Sequence, residues 1–257
     1  MLVNASAMKN DMKKGKVYFI GFGPGDPELL TIKAYRILER SDLIIYPGSL
    51  IEENFLSEFS GEKVDSYGKR LEDIIELIVK AVERRKTVAR IQSGDPSVFG
   101  AIGEQIRELK RRKIDFEVIP GVSSVFASAA SLKTELTSPE LEGIVIVRPR
   151  GKTLNKDHLD EIAKLPLTIV VLLGVDKIDY IAERIASVRG WSEPCAVVYQ
   201  ASRRDEIVLS SNLENIVEEV KKHGIERTAT VIVGEAIKGY IERSYLYGKG
   251  CGYGCGL

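Results

Sequence analysis

Short apolar runs alternate with amphipathic segments through the first half of the chain. Runs rich in β-branched and aromatic residues predict strands at 16–20, 43–46, 87–91 and 116–119. Between them, apolar residues recur every three or four positions, which predicts helices over 27–40, 71–84 and 101–112. Strands that alternate with helices in this way are typical of an α/β domain with a largely parallel sheet.

The second half of the chain shows a similar alternation. Apolar runs predict strands at 144–147, 167–173, 196–199, 207–210 and 228–233, and helical spacing predicts helices over 126–132, 175–187 and 213–222. We therefore predict two α/β lobes, 16–121 and 122–241, preceded by an extension over 1–15 and followed by a Gly- and Cys-rich tail over 242–257. The boundary rests on the Pro-Gly pair at Gly121, which is equally compatible with an ordinary turn between a strand and a helix.

Composition narrows the class of protein. The chain has 257 residues, of which 37 are basic and 37 acidic, so it lacks the basic excess that is usual for nucleic-acid binding. No apolar run approaches the roughly 20 residues that span a bilayer, and the first residues lack the apolar core of a secretory signal. Three cysteines, two of them in the tail at Cys251 and Cys255, form no disulfide framework. We expect a cytoplasmic protein with neither a nucleic-acid nor a membrane partner.

Four Gly-rich loops follow the predicted strands, at 21–26, 47–49, 93–96 and 120–124. The carboxyl ends of parallel strands meet at one sheet edge, where such folds bind ligands, so these loops predict a site. In the first loop Pro24 removes an N–H donor and Asp26 would repel an anion, which disfavours a phosphate site. An adenosyl ligand with a sulfonium cation remains compatible, and so does a tight turn without a ligand.

The other polar candidates each have two interpretations. Asp95 is placed to accept hydrogen bonds from an amine or a ribose, or to cap the turn after it. Ser123 and Ser124 would contact a ligand or cap the next helix. The basic groups at 148–152 and 203–204 would bind a substrate with several carboxylates, or form ordinary solvated surface. No metal-ligand set and no nucleophile–base pair is visible, so we expect no protein-bound metal.

Taken together, the loops resemble those of the tetrapyrrole methylase family. The similarity runs from Lys16 to Gly234, through GFGPGDPELLT, YPGSL, SGDPSVFGA, ELTSPE and YQASRRDE. It implies two α/β lobes with S-adenosylmethionine in the cleft between them, and a homodimer. The implied cofactor contacts are Pro24, Ser93, Gly94, Asp95, Val98, Ser123, Ser124, Leu173, Ala201 and Ala229. Many relatives have Met where this chain has Leu173, which leaves the backbone role intact and changes the side-chain contact.

The resemblance also implies a reaction, the direct transfer of a methyl group to a nucleophilic carbon of a tetrapyrrole. The motif combination favours carbon 11 of precorrin-4 or its cobalt form, in corrin ring biosynthesis, with any cobalt entering as part of the substrate. Asp26 is a candidate base by position only. The expected substrate edge consists of Tyr46, Gly48, Ser49, Arg148, Arg150 and Arg203. Three alternatives are a family member acting at C17 or at C2/C7, a protein-methylating relative of the diphthamide type, and a non-catalytic tetrapyrrole- or nucleoside-binding module.

Overall fold

A computed structural model describes residues 15–48, 51, 53–152 and 154–239. The predicted extension and tail lie outside these residues, except for Gly15. The described chain forms two compact units. The first runs to Ala127 and takes in Gln200–Glu206, whereas the second comprises Ser128–Tyr199 and continues from Ile207. The predicted boundary at Gly121 lies shortly before this division, and the predicted second lobe had included 200–206.

The first unit is built on a five-stranded parallel sheet. Its strands lie in the order β3-β2-β4-β1-β5, and every pairing is parallel, as the alternation of strands and helices predicted. The elements are β1 Val17–Gly21, α1 Ile32–Leu38, β2 Leu43–Tyr46, α2 Glu53–Leu56, β3 Glu62–Asp65, α3 Leu71–Glu83, β4 Val88–Gln92, α4 Gly103–Arg111, β5 Phe116–Ile119 and the start of α5 Ser124–Ser131.

Side-chain alternation divides the core of this unit into two layers. Odd and even positions of β1 face opposite sides of the sheet. Ile20 faces α1, where it packs with Leu38. Phe19 faces the other side, where it packs with residues of α3 and α4 such as Ile78 and Leu109. All five side chains are fully buried, so both faces of the central strands are covered, as parallel sheets require.

The prediction of one helix over 27–40 was wrong. Pro27–Leu29 form a single 3-10 turn, and Leu30 is extended, which ends the turn. The α-helix starts afresh because Thr31 Oγ1 accepts a hydrogen bond from the Ala34 amide at 3.1 Å. A side-chain oxygen at this position satisfies an amide that the first helical turn cannot.

The second unit has a mixed sheet with the strand order β6-β7-β10-β8-β9. β6 and β7 are parallel, whereas β10 runs antiparallel to both β7 and β8. Its elements are β6 Gly143–Val147, α6 Leu159–Ala163, β7 Leu167–Val171, α7 Ile178–Arg189, β8 Pro194–Tyr199, β9 Ile207–Asn212, α8 Leu213–Lys222 and β10 Ala229–Val233. One core cluster joins these strands to α6, α7 and α8.

Smaller differences from the sequence pattern follow from caps and short elements. The helix predicted at 126–132 is α5, which begins at Ser124, and the helix predicted at 175–187 is a 3-10 turn at Val175–Lys177 followed by α7. The pattern did not predict α2, β3 or α6, which have four or five residues each. Within the described residues, no helix combines the length and apolar character needed to cross a membrane.

Candidate functional site

The Gly-rich loops of the first unit lie together at one edge of its sheet. All five strands are parallel, so the loops after β1, β2, β4 and β5 all leave from the same end. Pro24, Ser93, Gly94, Asp95, Val98 and Ser123 are therefore brought to one edge, as are Tyr46 and Gly48. Ser49 lies outside the described residues.

Backbone contacts join these loops directly. The amide of Gly23 donates to the Gly94 carbonyl at 3.2 Å, and the Gly94 amide donates back to Gly23 at 2.8 Å. A methyl group on Gly21 would lie 2.5 Å from the Gly121 amide nitrogen, and one on Gly121 would lie 2.5 Å from the Gly94 carbonyl oxygen. Three loops thus approach so closely that no side chain fits between them, which leaves main-chain groups to form this part of the edge.

Asp95 holds two of the loops together. One carboxylate oxygen accepts from the Ser97 amide at 2.8 Å and from its hydroxyl, and the other accepts from the Gly121 amide at 2.9 Å. Partial burial raises the pKa of Asp95, but the hydrogen bonds from Ser97 and Gly121 lower it by more, so it lies below its ordinary value. The turn-capping interpretation of Asp95 is therefore realised, and the carboxylate also fixes the loop after β5. Val98 completes the turn through its amide, which donates to the Asp95 carbonyl.

Asp26 has a similar structural role at the end of the first loop. Its carboxylate accepts from the Glu28 amide at 2.9 Å and caps the 3-10 turn. The Asp26 amide donates to the hydroxyl of Ser202 at 3.0 Å. Ser202 belongs to the segment 200–206, which places Ala201 and Arg203 in the first unit. The Arg203 side chain covers Gly25, because a methyl group there would lie 2.4 Å from its Cγ.

The serines after β5 cap a helix. Ser123 is buried, its hydroxyl accepts from the Val125 amide at 3.3 Å, and its carbonyl accepts from the next turn of α5. Ser124 is half-buried and is the first residue of α5. The helix-capping interpretation of this pair is thus realised for Ser123.

Asp65 orders the loop after β2, and sequence reasoning missed it. One of its oxygens accepts from the Tyr67 and Gly48 amides, both at 2.8 Å. These two hydrogen bonds lower the pKa of Asp65 below its ordinary value. Tyr46 is buried at the end of β2, and its carbonyl accepts from Ser66. Two residues of the predicted substrate edge, Tyr46 and Gly48, therefore belong to a hydrogen-bonded turn after β2.

The predicted residues of the second unit lie at one end of its own sheet. Val231 pairs with Val171 across the antiparallel β10–β7 ladder, and continuing that register sets Ala229 opposite Leu173. The Leu172 amide donates to the Val147 carbonyl, so Arg148 leaves β6 at the same end. Leu173 is 67% exposed. The structure thus brings Leu173, Ala229 and Arg148 to a common edge.

Arg150 borders a basic cavity in the second unit. Its guanidinium lies 4.5 Å from the centre of the Tyr180 ring, and its amide donates to Asp157 at 2.6 Å. Burial and the adjacent Asp157 carboxylate raise the pKa of Tyr180. The cavity has a volume of about 450 Å³ and is lined by Arg150, Gly151, Leu154, Asn155, Lys177 and Tyr180.

Among the described residues, those other than glycine that have positive φ fall into two groups. Arg85, Lys113 and Lys133 each lie two residues after a helix, where a left-handed residue commonly ends it. The others lie in loops of the candidate site regions or at a strand start: Phe99, Ala101, Leu173, Gln200, Ser202 and Thr228. Such conformations cost on the order of 1 kcal/mol or more and concentrate in ligand-binding loops.

Comparisons with known proteins identify the class. Residues 16–217 match the family of tetrapyrrole (corrin/porphyrin) methylases, so the chain belongs to that family. The cobalt-precorrin-4 C(11)-methyltransferase of Methanocaldococcus jannaschii is 47% identical to it, over 91% of this chain and 93% of that protein. Among the described residues no group of three or more His, Cys, Asp or Glu side chains is arranged to hold a metal ion.

Two solved structures show the same fold. A cobalt precorrin-4 methyltransferase has a TM-score of 0.83 and 31% identity, over 92% of this chain and 99% of that one. A uroporphyrin-III C-methyltransferase from Thermus thermophilus, in complex with S-adenosylhomocysteine, has a TM-score of 0.74 and 34% identity, over 87% and 99%. The predicted fold class, two α/β lobes of the tetrapyrrole methylase fold, is confirmed, whereas the expected cofactor position between the lobes stays a prediction.

Proposed function

We propose that this protein transfers a methyl group from S-adenosylmethionine to carbon 11 of precorrin-4 or cobalt-precorrin-4, in the biosynthesis of the corrin ring. The observation that carries the proposal is the 47% identity, over nearly the whole of both chains, to a protein named for that reaction. The family motifs YPGSL, SGDPSVFGA and YQASRRDE fall on the loops of the candidate site.

The first unit fits an adenosyl sulfonium cofactor better than a phosphate-bearing one. The loop after β1 offers no amide at Pro24 and carries the carboxylates of Asp26 and Glu28. An anion would be repelled there, whereas a sulfonium cation would not. Gly21, Gly94 and Gly121 pack their loops against one another through main-chain atoms. They form a backbone cradle, whose surface presents main-chain groups to the adenosyl part of the cofactor. Pro24, Ser93, Gly94, Asp95, Val98, Ser123, Ser124 and Ala201 would hold the cofactor from this unit, and Leu173 and Ala229 from the other.

Positioning is the main task left to the chain. The bound cofactor supplies a methyl group that the positive charge on sulfur already makes electrophilic. The loops held by Asp95 and by the Gly23–Gly94 bridge fix the cofactor's orientation, and basic side chains fix the tetrapyrrole. Alignment of two reactants contributes a large share of a rate enhancement without any nucleophilic side chain. Arg148, Arg150 and Arg203 suit the carboxylates of the tetrapyrrole, which Arg binds with paired hydrogen bonds.

Asp26 acts through the loop in this proposal, because its carboxylate already caps the turn at Glu28. An Asp26→Asn variant keeps an oxygen acceptor for the cap and removes the charge. We expect it to retain turnover within about threefold, whereas Asp26→Ala loses the cap and about 1 kcal/mol of stability. Steady-state kinetics and denaturant unfolding measure the two effects. A loss of turnover above about a hundredfold in Asp26→Asn, with the fold intact, would make Asp26 the base.

The decisive experiment locates the methyl group. Purified protein is incubated with precorrin-4, cobalt-precorrin-4 and other pathway tetrapyrroles, together with cofactor labelled with ¹³C in its methyl group. NMR of the product is expected to place the label on carbon 11. A label on C17 or at C2/C7 would reassign the protein within its family, and cofactor binding without any labelled product would favour a non-catalytic binding module.

We also propose that the protein acts as a homodimer in the cytoplasm, as the family resemblance implies. Light scattering coupled to size-exclusion chromatography is expected to give twice the 28.5 kDa chain mass. A single-chain mass at micromolar concentration contradicts the dimer and leaves the reaction untouched.

A further inference from the structure

Arg90 is a buried charge in the middle of an apolar strand. It lies on β4 with 6% of its surface exposed, on the face that packs against α3 and α4. Its Nε donates to Gln105 Oε1 at 3.2 Å, and its Nη1 lies within 3.1–3.4 Å of the Ile91 and Ile45 carbonyls and Ser66 Oγ. Burial lowers the pKa of Arg90 to about 10, so the guanidinium remains charged at neutral pH.

The partners of Arg90 are all neutral among the described residues. A buried charge is usually compensated by an opposite charge, because desolvation is costly. Arg189 in the second unit shows the usual arrangement, since it donates to three backbone carbonyls and also pairs with Glu193 at 3.0 Å. Arg90 has the carbonyls and lacks the carboxylate.

Gln92 provides a second buried donor beside this charge. It is two residues further along β4, so its side chain projects from the same face as Arg90. It is 8% exposed, and its Nε2 has no hydrogen-bond partner among the described residues. Buried amide groups are nearly always paired, so the Gln92 amide is a donor that a ligand acceptor would satisfy.

Both donors lie near the loop edge of the first sheet. The carbonyls of Ile45 and Ile91 and the hydroxyl of Ser66 are at or next to the carboxyl ends of β2, β4 and β3. Gln92 is the last residue of β4, and its carbonyl accepts from Phe22 at the start of the GFGPGD loop. A positive charge and an unused amide thus lie directly beneath the loops proposed to bind cofactor and substrate.

We propose that Arg90 and Gln92 form a recognition site for one carboxylate of a bound ligand. The inference rests on the proposed function, in which two ligands bear carboxylates: the cofactor, on its methionine moiety, and the tetrapyrrole, on its peripheral acid chains. A carboxylate there would supply the opposite charge that Arg90 lacks and the acceptor that Gln92 lacks. Its two oxygens match the geometry of a guanidinium and an adjacent amide.

The test measures ligand affinity in Arg90→Gln, Arg90→Lys and Gln92→Met. Calorimetry gives the Kd of S-adenosylhomocysteine, which has the carboxylate, and of 5′-methylthioadenosine, which lacks it. Steady-state kinetics gives the KM for the tetrapyrrole. Arg90→Gln loses a charge-assisted hydrogen bond, so the affinity for the carboxylate-bearing ligand is expected to fall about 10- to 100-fold, with partial recovery in Arg90→Lys. Gln92→Met is expected to weaken it about 3- to 10-fold.

The pattern of effects identifies the carboxylate. If a variant binds S-adenosylhomocysteine more weakly and 5′-methylthioadenosine with an unchanged Kd, the carboxylate belongs to the cofactor. A raised KM for the tetrapyrrole with unchanged cofactor binding assigns it to the substrate. Arg189→Gln is the control, because it removes a partly buried arginine that also donates to backbone carbonyls. It is expected to lower the unfolding midpoint without changing the binding of either ligand.

The inference is overturned if folded Arg90→Gln and Gln92→Met keep the wild-type Kd for S-adenosylhomocysteine and the wild-type KM for the tetrapyrrole. Arg90 and Gln92 would then only stabilise the sheet. If Arg90→Gln does not fold, Gln92→Met decides alone. Wild-type protein that neither binds S-adenosylhomocysteine nor methylates a tetrapyrrole would instead overturn the proposed function.

Discussion

Different chemical groups form the loop edges of the two sheets. In the first unit, main-chain groups and carboxylates hold the loops together, through the Gly23–Gly94 bridge and the bonds of Asp95 to Ser97 and Gly121. In the second unit, the same kind of edge carries the exposed side chain of Leu173, and the exposed Arg150 lies beyond Arg148. Hydrogen bonds hold the loops of the first edge in place, whereas the second edge exposes long side chains to solvent.

This contrast matches the two ligands of the proposed reaction. A cofactor of constant shape suits a preformed backbone cradle, because little ordering entropy is lost when it binds. A tetrapyrrole with many flexible acid groups suits long basic side chains that adjust to it. We therefore expect variants of the backbone cradle in the first unit to change cofactor binding and stability, and variants of the basic side chains, such as Arg150, to change the KM for the tetrapyrrole.

The largest expected effect is that of Gly121→Ala. The new methyl group would lie 2.5 Å from the Gly94 carbonyl oxygen and 2.7 Å from the Gly21 carbonyl carbon, and both are backbone atoms that cannot move aside cheaply. We expect a loss of about 2–3 kcal/mol of unfolding free energy, as for other overpacked sites, and cofactor affinity reduced beyond about a hundredfold. Denaturant unfolding and calorimetry measure these.

Gly103→Ala is the control for that variant. Gly103 starts α4 and has no atom within 4 Å of the added methyl group, so alanine is expected to be neutral or to stabilise by up to about 1 kcal/mol. A Gly121→Ala protein that binds cofactor as tightly as wild type would show that the backbone cradle is irrelevant to the cofactor.

Asp95→Asn is expected to have the next largest effect. It removes the charge that the Ser97 and Gly121 amides bind, which costs about 1 kcal/mol of unfolding free energy at pH 7 and about tenfold in cofactor affinity. The ordinary pKa of an aspartate is 3.8, and the pKa of Asp95 in the folded protein lies below that value. Its contribution to stability is therefore present above that pH and lost as pH falls through the folded pKa.

Urea unfolding of wild type and Asp95→Asn between pH 7 and pH 3 measures this contribution. The difference in unfolding free energy is expected to shrink below about pH 4. A difference that stays constant over the whole range would mean that the charge on Asp95 contributes nothing.

Arg150→Gln tests the second edge. The guanidinium is exposed and stacks on Tyr180, so its loss is expected to change stability by less than about 0.5 kcal/mol. We expect the KM for the tetrapyrrole to rise about 3- to 10-fold with an unchanged cofactor Kd, because one exposed charge pair is lost. Lys222→Gln, which removes an exposed charge at the end of α8, controls for net charge. Weaker cofactor binding in Arg150→Gln would contradict the proposal that this basic side chain binds only the tetrapyrrole.

Leu173→Met is expected to have the smallest effect. Leu173 has a φ of 56° and an exposed side chain, so its main-chain position is set by the turn and not by its side chain. Met preserves an apolar surface of similar size, and cofactor Kd is expected to stay within about twofold. A larger change in calorimetry would show that the side chain itself contacts the cofactor.

Much of the first unit was predictable, because local patterns determine it. Runs such as Val17–Gly21 and Leu43–Tyr46 are apolar throughout, as strands covered on both faces must be, and the loops after them are marked by Gly and Pro. The strand Glu62–Asp65 was missed because it forms an exposed, charged edge with little apolar signal. The break before Ile32 was missed because the cap at Thr31 lies within an otherwise helical apolar spacing.

Tertiary relations were not predictable from local patterns. The antiparallel direction of β10 and the placement of Ser202 beside Asp26 depend on contacts between residues far apart in the chain, the second pair 176 positions apart. The burial of Arg90 also contradicts the usual preference of arginine for the surface. A signal was present, since Arg90 and Gln92 are the polar residues of an otherwise apolar strand.

The place of β10 in the second sheet has a consequence during synthesis. Of the strands that the structure describes, β10 is the last to leave the ribosome, yet it lies between β7 and β8 and pairs with both. The five strands of the first sheet are complete once residue 119 has emerged, whereas β7 and β8 each keep an open edge until residue 233 has followed. Open strand edges are the usual starting points for aggregation of nascent chains. Chaperones that protect this protein on the ribosome are therefore expected to bind the strands of its second unit.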